Sequence, residues 1–470
     1  MLRFWLILSA LVASSIHAQN KPIDWNAVNS ETLRYFTDII RQDTSNPPGN
    51  ETMEAKYLQA ILEREGIPTK LVGTNQQRLS VIARLKGNGS KKPVIVMGHT
   101  DVVPVQRDRW TQNPFGASIV DGFIWGRGTL DDKPLVLGSL MTILLFKRSG
   151  LALDRDIIFI AESGEEGGGG TGFGMNYIIQ NNWPDIEAEY ALSECGDFRS
   201  VGGKVLYQKV AVSEKVGRGM RLIAHGTAGH GSQPREDSAI VHLSAAVAAV
   251  GHWQPPMHLT DTTRTYLEKL QTVAAPDIAA RIRGLFDSSQ AEESQAWFRK
   301  NDIELNSELR TTVDPTIFQG GFRSNVLSSE AIATLDIRAV PGEDMQKYKE
   351  ELIRVINDPE VMVEANGNLD RPAPPDSSTD TEMFRALEHA GDRAYPGIPT
   401  FPWMWTGATD MRGLRARGVQ SYGIGPEYPQ EDTLLHAYHS DNERVKEEGI
   451  YKFVHYMYDA VREVAAKPAK

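Results

Sequence analysis

The chain has 470 residues, of which 41% are hydrophobic and 24% are charged. This length and composition are typical of a globular protein with two domains or one large domain. The formal charge is -11, from 50 Lys and Arg against 61 Asp and Glu, and the sequence has no long basic run. We therefore expect no nucleic-acid partner, because binding to phosphates needs a concentrated positive surface.

The first 18 residues have the layout of a secretory signal peptide, with Arg3, a short apolar run over 4–13 and the small residue Ala18. The apolar run is much shorter than the roughly 20 residues of a spanning helix. We expect an exported protein, periplasmic or secreted, whose mature chain has no membrane span. A retained N-terminal anchor is the alternative. Cys195 is the only cysteine, so no intrachain disulfide is expected.

The N-terminal part of the predicted fold begins with two helices. Asn29 or Ser30 can cap the first helix, and the second is predicted over 54–65. Three apolar runs of strand length follow, and each precedes polar residues: PVIVMG before His99, IIFIA before Glu162 and YALS before Glu194. Such runs, separated by helical segments, are typical of buried and mostly parallel strands. Ligands bind at the carboxyl ends of such strands.

From about Gln208 the pattern changes to the shorter strands RLIAHG and AIATLDIRAV. Between them lie a predicted helix over 237–250 and a polar, helix-rich segment over 252–310, whose role stays open. An amphipathic helix over 345–356, a Pro-rich linker and a final helix near 442–461 follow. These elements predict an α/β fold in which a smaller α+β domain is inserted into a catalytic domain. The predicted division is a signal peptide over 1–18, a catalytic domain over 22–207 and 368–470, and an inserted domain over 208–367.

Histidine and acidic clusters follow the predicted core strands. His99 and Asp101 are two residues apart, so their side chains point to one side if the strand geometry continues. A carboxylate beside a histidine fixes the ring tautomer for metal binding, although a histidine without a metal is commoner. The other clusters are Asp131-Asp132, Glu165-Glu166, and Glu194 with Asp197. Gathered in one cleft, these charges would repel, and divalent metal ions are the usual remedy. Imidazole and carboxylate together suit Zn²⁺, with Mn²⁺ or Co²⁺ as substitutes.

A glycine-rich stretch is a misleading signal. Gly167, Gly169 and Gly172 match the G-x-G-x-x-G signature of dinucleotide-binding proteins. Two glutamates precede it directly and would repel a pyrophosphate. We therefore interpret the stretch as a turn that positions Glu165 and Glu166.

Seven motifs occur in a fixed order along the chain: GHTDVVPV, WGRGTLDDK, ESGEEGGGG, SECGD, HGTAGHGSQP, GATD and HSDNE. As an ordered set over roughly residues 30–460, they resemble those of the co-catalytic zinc hydrolases. These include aminoacylase, acetylornithine deacetylase, succinyl-diaminopimelate desuccinylase, carnosine-type dipeptidases and glutamate carboxypeptidase. The resemblance implies a zinc-exopeptidase-like sheet flanked by helices, an inserted dimerisation (lid) domain, a homodimer and hydrolysis of an amide bond.

The resemblance also implies a role for each matching residue. Two Zn²⁺ ions would be held, with Asp131 shared, by His99, Asp131, Glu166, Glu194 and His439. Asp101 would orient His99, and Glu165 would be the general acid and base. His230 would reach into the partner subunit's site to stabilise the oxyanion. Asn325 and Arg338 would hold the substrate's carboxylate, although Arg338 could equally be an ordinary strand-end arginine.

Three positions leave alternatives open. His436 is a rival to His439, which the HSDNE motif favours. Ser440 and Glu443 satisfy the S-x-x-E capping box, so Glu443 could simply start the last helix. Cys195 stands where relatives often carry glycine, which predicts a different local turn; we interpret it as a small buried residue rather than a thiolate ligand.

These features together predict an exported, dimeric zinc exopeptidase of the carboxypeptidase or dipeptidase kind, acting on small peptides. An aminoacylase or deacetylase of N-acyl amino acids is the alternative with the same metal chemistry. A non-catalytic binding domain on the same scaffold is the alternative from a different class.

Overall fold

The computed structural model describes residues 23–167, 170–369, 372–433 and 435–466, so the predicted signal peptide lies outside the described residues. The helices are α1 (Trp25–Ile40), α2 (Thr52–Arg64), α3 (Lys133–Ser149), α4 (Gly174–Asn181), α5 (Trp183–Ile186), α6 (Ala239–His252), α7 (Asp261–Leu270), α8 (Pro276–Leu285), α9 (Ala291–Asn301), α10 (Ile303–Glu308), α11 (Met345–Ile356), α12 (Glu382–Ala394), α13 (Met411–Arg415) and α14 (Glu447–Ala465).

The strands are β1 (Thr69–Val72), β2 (Ser80–Leu85), β3 (Val94–His99), β4 (Ser118–Val120), β5 (Phe123–Trp125), β6 (Ile157–Glu162), β7 (Tyr190–Ser193), β8 (Asp197–Val201), β9 (Lys204–Glu214), β10 (Val216–Gly217), β11 (Met220–His225), β12 (Gly229–His230), β13 (Thr312–Gly320), β14 (Val326–Leu327), β15 (Glu330–Ala339), β16 (Val361–Ala365), β17 (Thr400–Trp405), β18 (Gln420–Gly423), β19 (Glu427–Pro429) and β20 (Arg444–Lys446).

The larger sheet has the strand order β1-β2-β6-β3-β7-β18-β9-β8-β19, and β17 also pairs with β9. Its centre is parallel: β3 pairs with β6 and β7, and β7 pairs with β18, all in the same direction. These strands include the three apolar runs of the sequence, so their predicted parallel arrangement is confirmed. Their carboxyl ends therefore meet at one edge of the sheet.

Helices cover both faces of the larger sheet, which is why its central strands are apolar throughout. Alternate strand residues such as Val96 and Phe159 pack with α1, α2, α3, α12 and α14 on one face. The intervening residues, such as Ile95 and Ile158, pack with α4, α5 and α13 on the other face. The α/β class predicted from the sequence is confirmed.

The first helix begins earlier than the sequence predicts. The carboxylate of Asp24 accepts hydrogen bonds from the backbone N–H groups of Asn26 and Ala27, so Asp24 is the N-cap. Asn29 and Ser30 lie inside α1, and the prediction that one of them caps the helix is wrong. An aspartate at this position satisfies the free N–H groups one turn earlier.

The smaller sheet is antiparallel, with the order β10-β15-β11-β16 and β13 paired with β15. Helices α6 and α11 pack on it through an apolar core that includes Leu222, Leu243, Leu335 and Leu352. The predicted short strands and the predicted helix over 345–356 are part of this unit. Within the described residues, each helix is too short or too polar to cross a bilayer.

The polar segment over 252–310 folds into α7 to α10 and packs on the larger sheet. Leu267, Ile282 and Phe298 from these helices share a core with Phe401 and Trp403 of β17. The domain boundaries drawn from the sequence stay a prediction. The boundary between residues 207 and 208 falls within β9, a strand of the larger sheet.

Candidate metal centre

The acidic clusters and one histidine gather at the carboxyl edge of the larger sheet. His99 is the last residue of β3, Glu194 follows β7 directly, and Glu165 and Glu166 lie in the turn after β6. The parallel arrangement of β3, β6 and β7 brings these turns together. Asp131 reaches the same place from the turn that precedes α3.

The first group of converging side chains is His99, Asp131 and Glu194. Nε2 of His99 lies 2.8 Å from Oδ1 of Asp131 and 3.9 Å from Oε2 of Glu194. His99 is 2% exposed, so its ring is held within the protein with one nitrogen facing the carboxylates. These three side chains could together hold one metal ion.

The second group is Asp131, Glu166 and His439. Nε2 of His439 lies 3.1 Å from Oδ2 of Asp131 and 3.1 Å from Oε2 of Glu166. The two oxygens of Asp131 therefore face different histidines. The structure brings together all five residues that the sequence motifs predict as metal ligands, in two groups that share Asp131.

Asp101 contacts His99 in a different way from the one expected. The backbone oxygen of Asp101 accepts a hydrogen bond from Nδ1 of His99 at 2.9 Å, while the nearest carboxylate oxygen is 3.6 Å away. The carboxylate instead accepts hydrogen bonds from the backbone N–H groups of Gly164, Glu165 and Glu166, at 2.8–3.2 Å. Because a carbonyl can only accept, Nδ1 carries the proton and Nε2 is free to bind a metal. Asp101 thus fixes both the histidine tautomer and the turn of the two glutamates.

Glu443 holds the turn that contains Asp131. Its carboxylate accepts hydrogen bonds from Arg127 Nη1 at 2.6 Å, from the backbone N–H of Leu130 at 2.6 Å, and from that of Asp131 at 3.3 Å. The capping-box interpretation is wrong, because α14 begins at Glu447, and Glu443 is fully buried. A buried carboxylate needs partners, and here it finds them in the turn of Asp131.

The contacts of His436 decide between it and His439 as a member of the ligand groups. Nδ1 of His436 lies 2.9 Å from the backbone oxygen of Asn442, and the residue belongs to neither ligand group.

Cys195 has a φ of 71°, the left-handed conformation that favours glycine. Its thiol donates to Oε2 of Glu194 at 3.4 Å. Cysteine here adopts a backbone conformation that glycine would prefer, and the expected difference from the relatives' turn stays a prediction.

A cavity of about 400 Å³ opens beside the two groups. Glu165 and Arg338 line it. The other lining residues include Trp405 at the end of β17, Thr409 and Asp410 in the turn after it, and Arg412 in α13. Burial raises the pKa of the Glu165 carboxyl well above its ordinary value. Arg338 also pairs with Asp336, with Nε 2.9 Å from Oδ1.

Sequence reasoning gave no individual role to several residues at this site. Asp132 accepts a hydrogen bond from the backbone N–H of His99 at 3.2 Å, an approach that Gly98 permits, since a side chain there would collide with Asp132. The residues after β17 line the cavity as well, and the GATD motif was the signal that pointed to them. Trp405, just before that motif, carried no signal.

Two predicted site residues lie elsewhere in the chain's fold. His230 is on β12, which pairs with β14, and its exposed ring lies 2.7 Å from Ser232 Oγ. Asn325 is beside it, since its backbone oxygen accepts from the N–H of Gly231. Among the described residues, neither lines the cavity that contains Glu165. His230 and Asn325 are therefore close to each other, but they lie away from the ligand groups of their own chain.

The electrostatics of the site fit a pair of divalent cations. Burial raises the pKa of the carboxyl groups of Glu194 and Glu166, which are crowded beside Asp131. Hydrogen bonds to Asp131 and Glu166 raise the pKa of His439 to about 10. Raised pKa values mean that the crowded carboxylates favour protonation when no cation is near. Bound metal ions would supply positive charge in place of these protons. The imidazole and carboxylate donors are those of zinc and related metals.

Comparison with known proteins shows the family of this chain. The model of Peptidase family M20/M25/M40 matches residues 95–463. A probable carboxypeptidase S-like 2 from Dictyostelium discoideum is 29% identical over 408 residues, covering 82% of this chain and 74% of that protein. The human N-fatty-acyl-amino acid synthase/hydrolase PM20D1 is 28% identical over 387 residues, covering 79% of this chain and 74% of that protein.

A solved structure shows the same fold. The M20 family metallo-carboxypeptidase Sso-CP2 from Sulfolobus solfataricus superposes with a TM-score of 0.69 at 18% identity, covering 92% of this chain and 99% of that one. The chain belongs to Peptidase family M20/M25/M40, and the resemblance drawn from the ordered motifs is confirmed. It is a hydrolase of the metallopeptidase kind.

Proposed function

We propose that this protein is a zinc-dependent carboxypeptidase or dipeptidase, which hydrolyses a peptide bond next to a free carboxylate. The observation that carries the proposal is the convergence of two ligand groups on Asp131, beside a cavity that Glu165 and Arg338 both line. The two ligand groups and the cavity supply, at one place, what metal-assisted hydrolysis requires: metal ligands, a proton carrier and a cation for the substrate.

The five ligand residues would hold two Zn²⁺ ions, and Mn²⁺ or Co²⁺ could substitute. His99 and Glu194 would hold one ion, Glu166 and His439 the other, and Asp131 both. When bound, such ions polarise a scissile carbonyl and make water more acidic.

Glu165 would accept the proton of the attacking water and deliver it to the leaving nitrogen. Its side chain lines the cavity, and the hydrogen bond from its backbone N–H to Asp101 fixes its place in the turn. Burial raises the pKa of its carboxyl, which suits a group that must both take and give a proton near neutral pH.

Arg338 would bind the substrate's carboxylate through its guanidinium, which forms paired hydrogen bonds with carboxylates. Its present partner, Asp336, is 42% exposed at the side chain, so a substrate could compete for the guanidinium. Asn325 does not line the cavity of its own chain. It would help to bind the carboxylate only if the paired strands β12 and β14 lay against the cavity of another subunit.

We further propose that the protein is a homodimer in which His230 enters the site of the partner subunit and stabilises the oxyanion. The exposure of His230 and its separation from the cavity of its own chain support this arrangement. A hydrogen-bond donor of this kind contributes roughly 3–4 kcal/mol to transition-state stabilisation.

Hydrolysis of N-acyl amino acids is the second candidate. It is favoured by the 28% identity to the human N-fatty-acyl-amino acid synthase/hydrolase. The same residues would act, because an N-acyl amino acid also carries an amide beside a free carboxylate. A non-catalytic binding domain is disfavoured, since the ligand groups and Glu165 are all in place.

We also propose export to the periplasm or the medium, on the strength of the N-terminal sequence.

The test is amino-acid release by the purified protein from a panel of dipeptides and N-acyl amino acids, measured with added zinc and with a chelator. Chelator-sensitive cleavage of dipeptides is the expected result. Release from N-acyl substrates alone would favour the second candidate, and inactivity of the zinc-loaded dimer on both panels would contradict an amidohydrolase function.

A further inference from the structure

A second cavity, of about 540 Å³, adjoins the candidate metal centre. The side chain of Trp405 lines both cavities. Trp405 and Tyr438 also line a small space together with Asp131 and Glu194. Tyr438 precedes the ligand residue His439 in the chain. Trp405 thus borders both the second cavity and the cavity of the ligand groups, and Tyr438 borders the second cavity next to His439 in the chain.

Aromatic rings form one wall of the second cavity. The ring centroid of Tyr438 lies 6.1 Å from that of Trp405 and 5.2 Å from that of Tyr428. Such rings offer a large apolar surface at fixed positions. Ala437 continues this wall.

Another part of the lining comes from α10, the last helix of the segment whose role the sequence left open. Ile303, its first residue, lines the cavity with a side chain that is 67% exposed. A single exposed isoleucine needs no explanation by itself. Here it faces the same cavity as three aromatic rings, beside the reacting centre.

Buried ion pairs hold α10 in this place. Oε1 of Glu304 accepts hydrogen bonds from Lys209 Nζ at 2.7 Å and from Arg199 Nη2 at 3.3 Å. One turn later, Glu308 accepts a hydrogen bond from the indole N–H of Trp403 at 2.7 Å. The helix is thus fixed to β8, β9 and β17, and the charge of Glu304 is neutralised by its partners.

The two cavities differ in the groups that they offer a substrate. Arg338 and Arg412 line the first cavity and not the second. The carboxylate of a substrate therefore finds its guanidinium partners in the first cavity. Polar side chains such as Lys300, Asp302 and Gln430 also line the second cavity. Its aromatic residues and Ile303 offer apolar surface to the rest of the substrate.

We propose that the second cavity binds an apolar group on the carbonyl side of the scissile amide, either an acyl chain or an apolar side chain of the preceding residue. This inference rests on the proposed amidohydrolase function and narrows it to substrates with a bulky apolar group in that position. Ile303 is then a specificity-determining residue supplied by the helical segment.

The test compares substrates that share leucine as the released amino acid: N-acetyl-leucine against N-octanoyl-leucine, and Gly-Leu against Phe-Leu. The holoenzyme should prefer the larger member of at least one pair. Ile303→Ser should lower kcat/KM for that larger member about tenfold and leave the smaller member within about twofold, since the lost contact involves only the apolar group. The pair that responds tells whether an acyl chain or a side chain occupies the cavity.

Ile353→Ser is the matched control, because Ile353 is a similarly exposed helical isoleucine, 47% exposed, on α11. It should leave all four rates unchanged. An equal loss for small and large substrates in Ile303→Ser, or the same behaviour in both variants, would overturn the inference.

Calorimetric binding of octanamide separates this inference from the proposed function. Octanamide carries an apolar chain without a carboxylate, so it should bind more tightly than acetamide, and Ile303→Ser should weaken it. If no amide is hydrolysed but this pattern holds, the proposed function fails and the apolar cavity stands. If the amides are hydrolysed without preference for the larger groups and octanamide binds no better than acetamide, only the cavity assignment fails.

Discussion

Asp131 links the two ligand groups at the level of single residues. One carboxylate oxygen faces His99 and the other faces His439. Its backbone is held by Glu443, which is itself paired with Arg127. The position of the residue that the two groups share therefore depends on the carboxylate of Glu443.

Glu165→Gln should retain metal and lose turnover. Glutamine has nearly the same shape but cannot accept the water proton, so kcat should fall by roughly 10²–10⁴. Metal content by elemental analysis and kcat on the best substrate check both halves of the prediction. A near-normal rate would contradict the role of Glu165.

Glu443→Gln should weaken metal binding by roughly 10–100-fold, because it loosens the turn that carries Asp131. The measurement is competition for zinc with a chelator of known affinity. Glu448→Gln is the control, since Glu448 lies on the surface of α14 with a side chain that is 77% exposed. Equal affinities in the two variants would mean that Glu443 does not position Asp131.

Cys195→Gly should preserve activity and stability, because glycine adopts a φ of 71° without strain. Cys195→Val should lower the free energy of unfolding by about 1–3 kcal/mol, since a β-branched side chain is poorly accommodated there. Urea unfolding of the two variants measures the difference. If valine is tolerated as well as glycine, backbone conformation is not what selects the residue.

At the level of elements, the start of α3 holds the turn of Asp131 in place. Lys133, its first residue, is fully buried, and its ammonium donates to the backbone oxygen of Ile39 and to Oε2 of Glu54, both at 2.7 Å. These bonds tie α3 to α1 and α2. They also fix the turn of Asp131, which directly precedes the helix.

Lys133→Met should lower the free energy of unfolding by about 3–5 kcal/mol, because it leaves the buried carboxylate of Glu54 without its cation. Chemical denaturation measures the loss. Lys70→Met is the matched control: Lys70 pairs with Asp185 at the same distance, 2.7 Å, but at an exposed position, so its loss should cost less than about 1 kcal/mol. Similar costs for the two variants would contradict this reasoning.

At the level of the whole molecule, the separation of His230 from its own cavity predicts complementation between subunits. Glu165→Gln and His230→Ala should each be inactive alone. A mixed dimer should recover activity, because one of its two sites would combine an intact Glu165 with an intact His230. The measurement is turnover of isolated mixed dimers against each parent dimer. Mixed dimers without activity would show that His230 does not act across the interface.

The sequence by itself determined the central strands, the family and the five side chains that converge. Long apolar runs identify strands that are buried on both faces, and polar residues directly after them must meet when the strands are parallel. His99, Glu166 and Glu194 were predictable for this reason. His439 was predictable only through the motifs. Asp131 was expected after a core strand, but the structure places it in the turn before α3, after the short strand β5 of a separate sheet.

Only the tertiary structure decided the contacts between distant segments. The sequence predicted Asp101 as the partner of His99, but its carboxylate instead binds the turn of Glu165, because that turn presents three free N–H groups to it. Glu443 fitted a local capping box, yet burial directs it to Arg127. The helices over 261–308 had no predicted role, since a helical periodicity states that one face is buried but not against which partner.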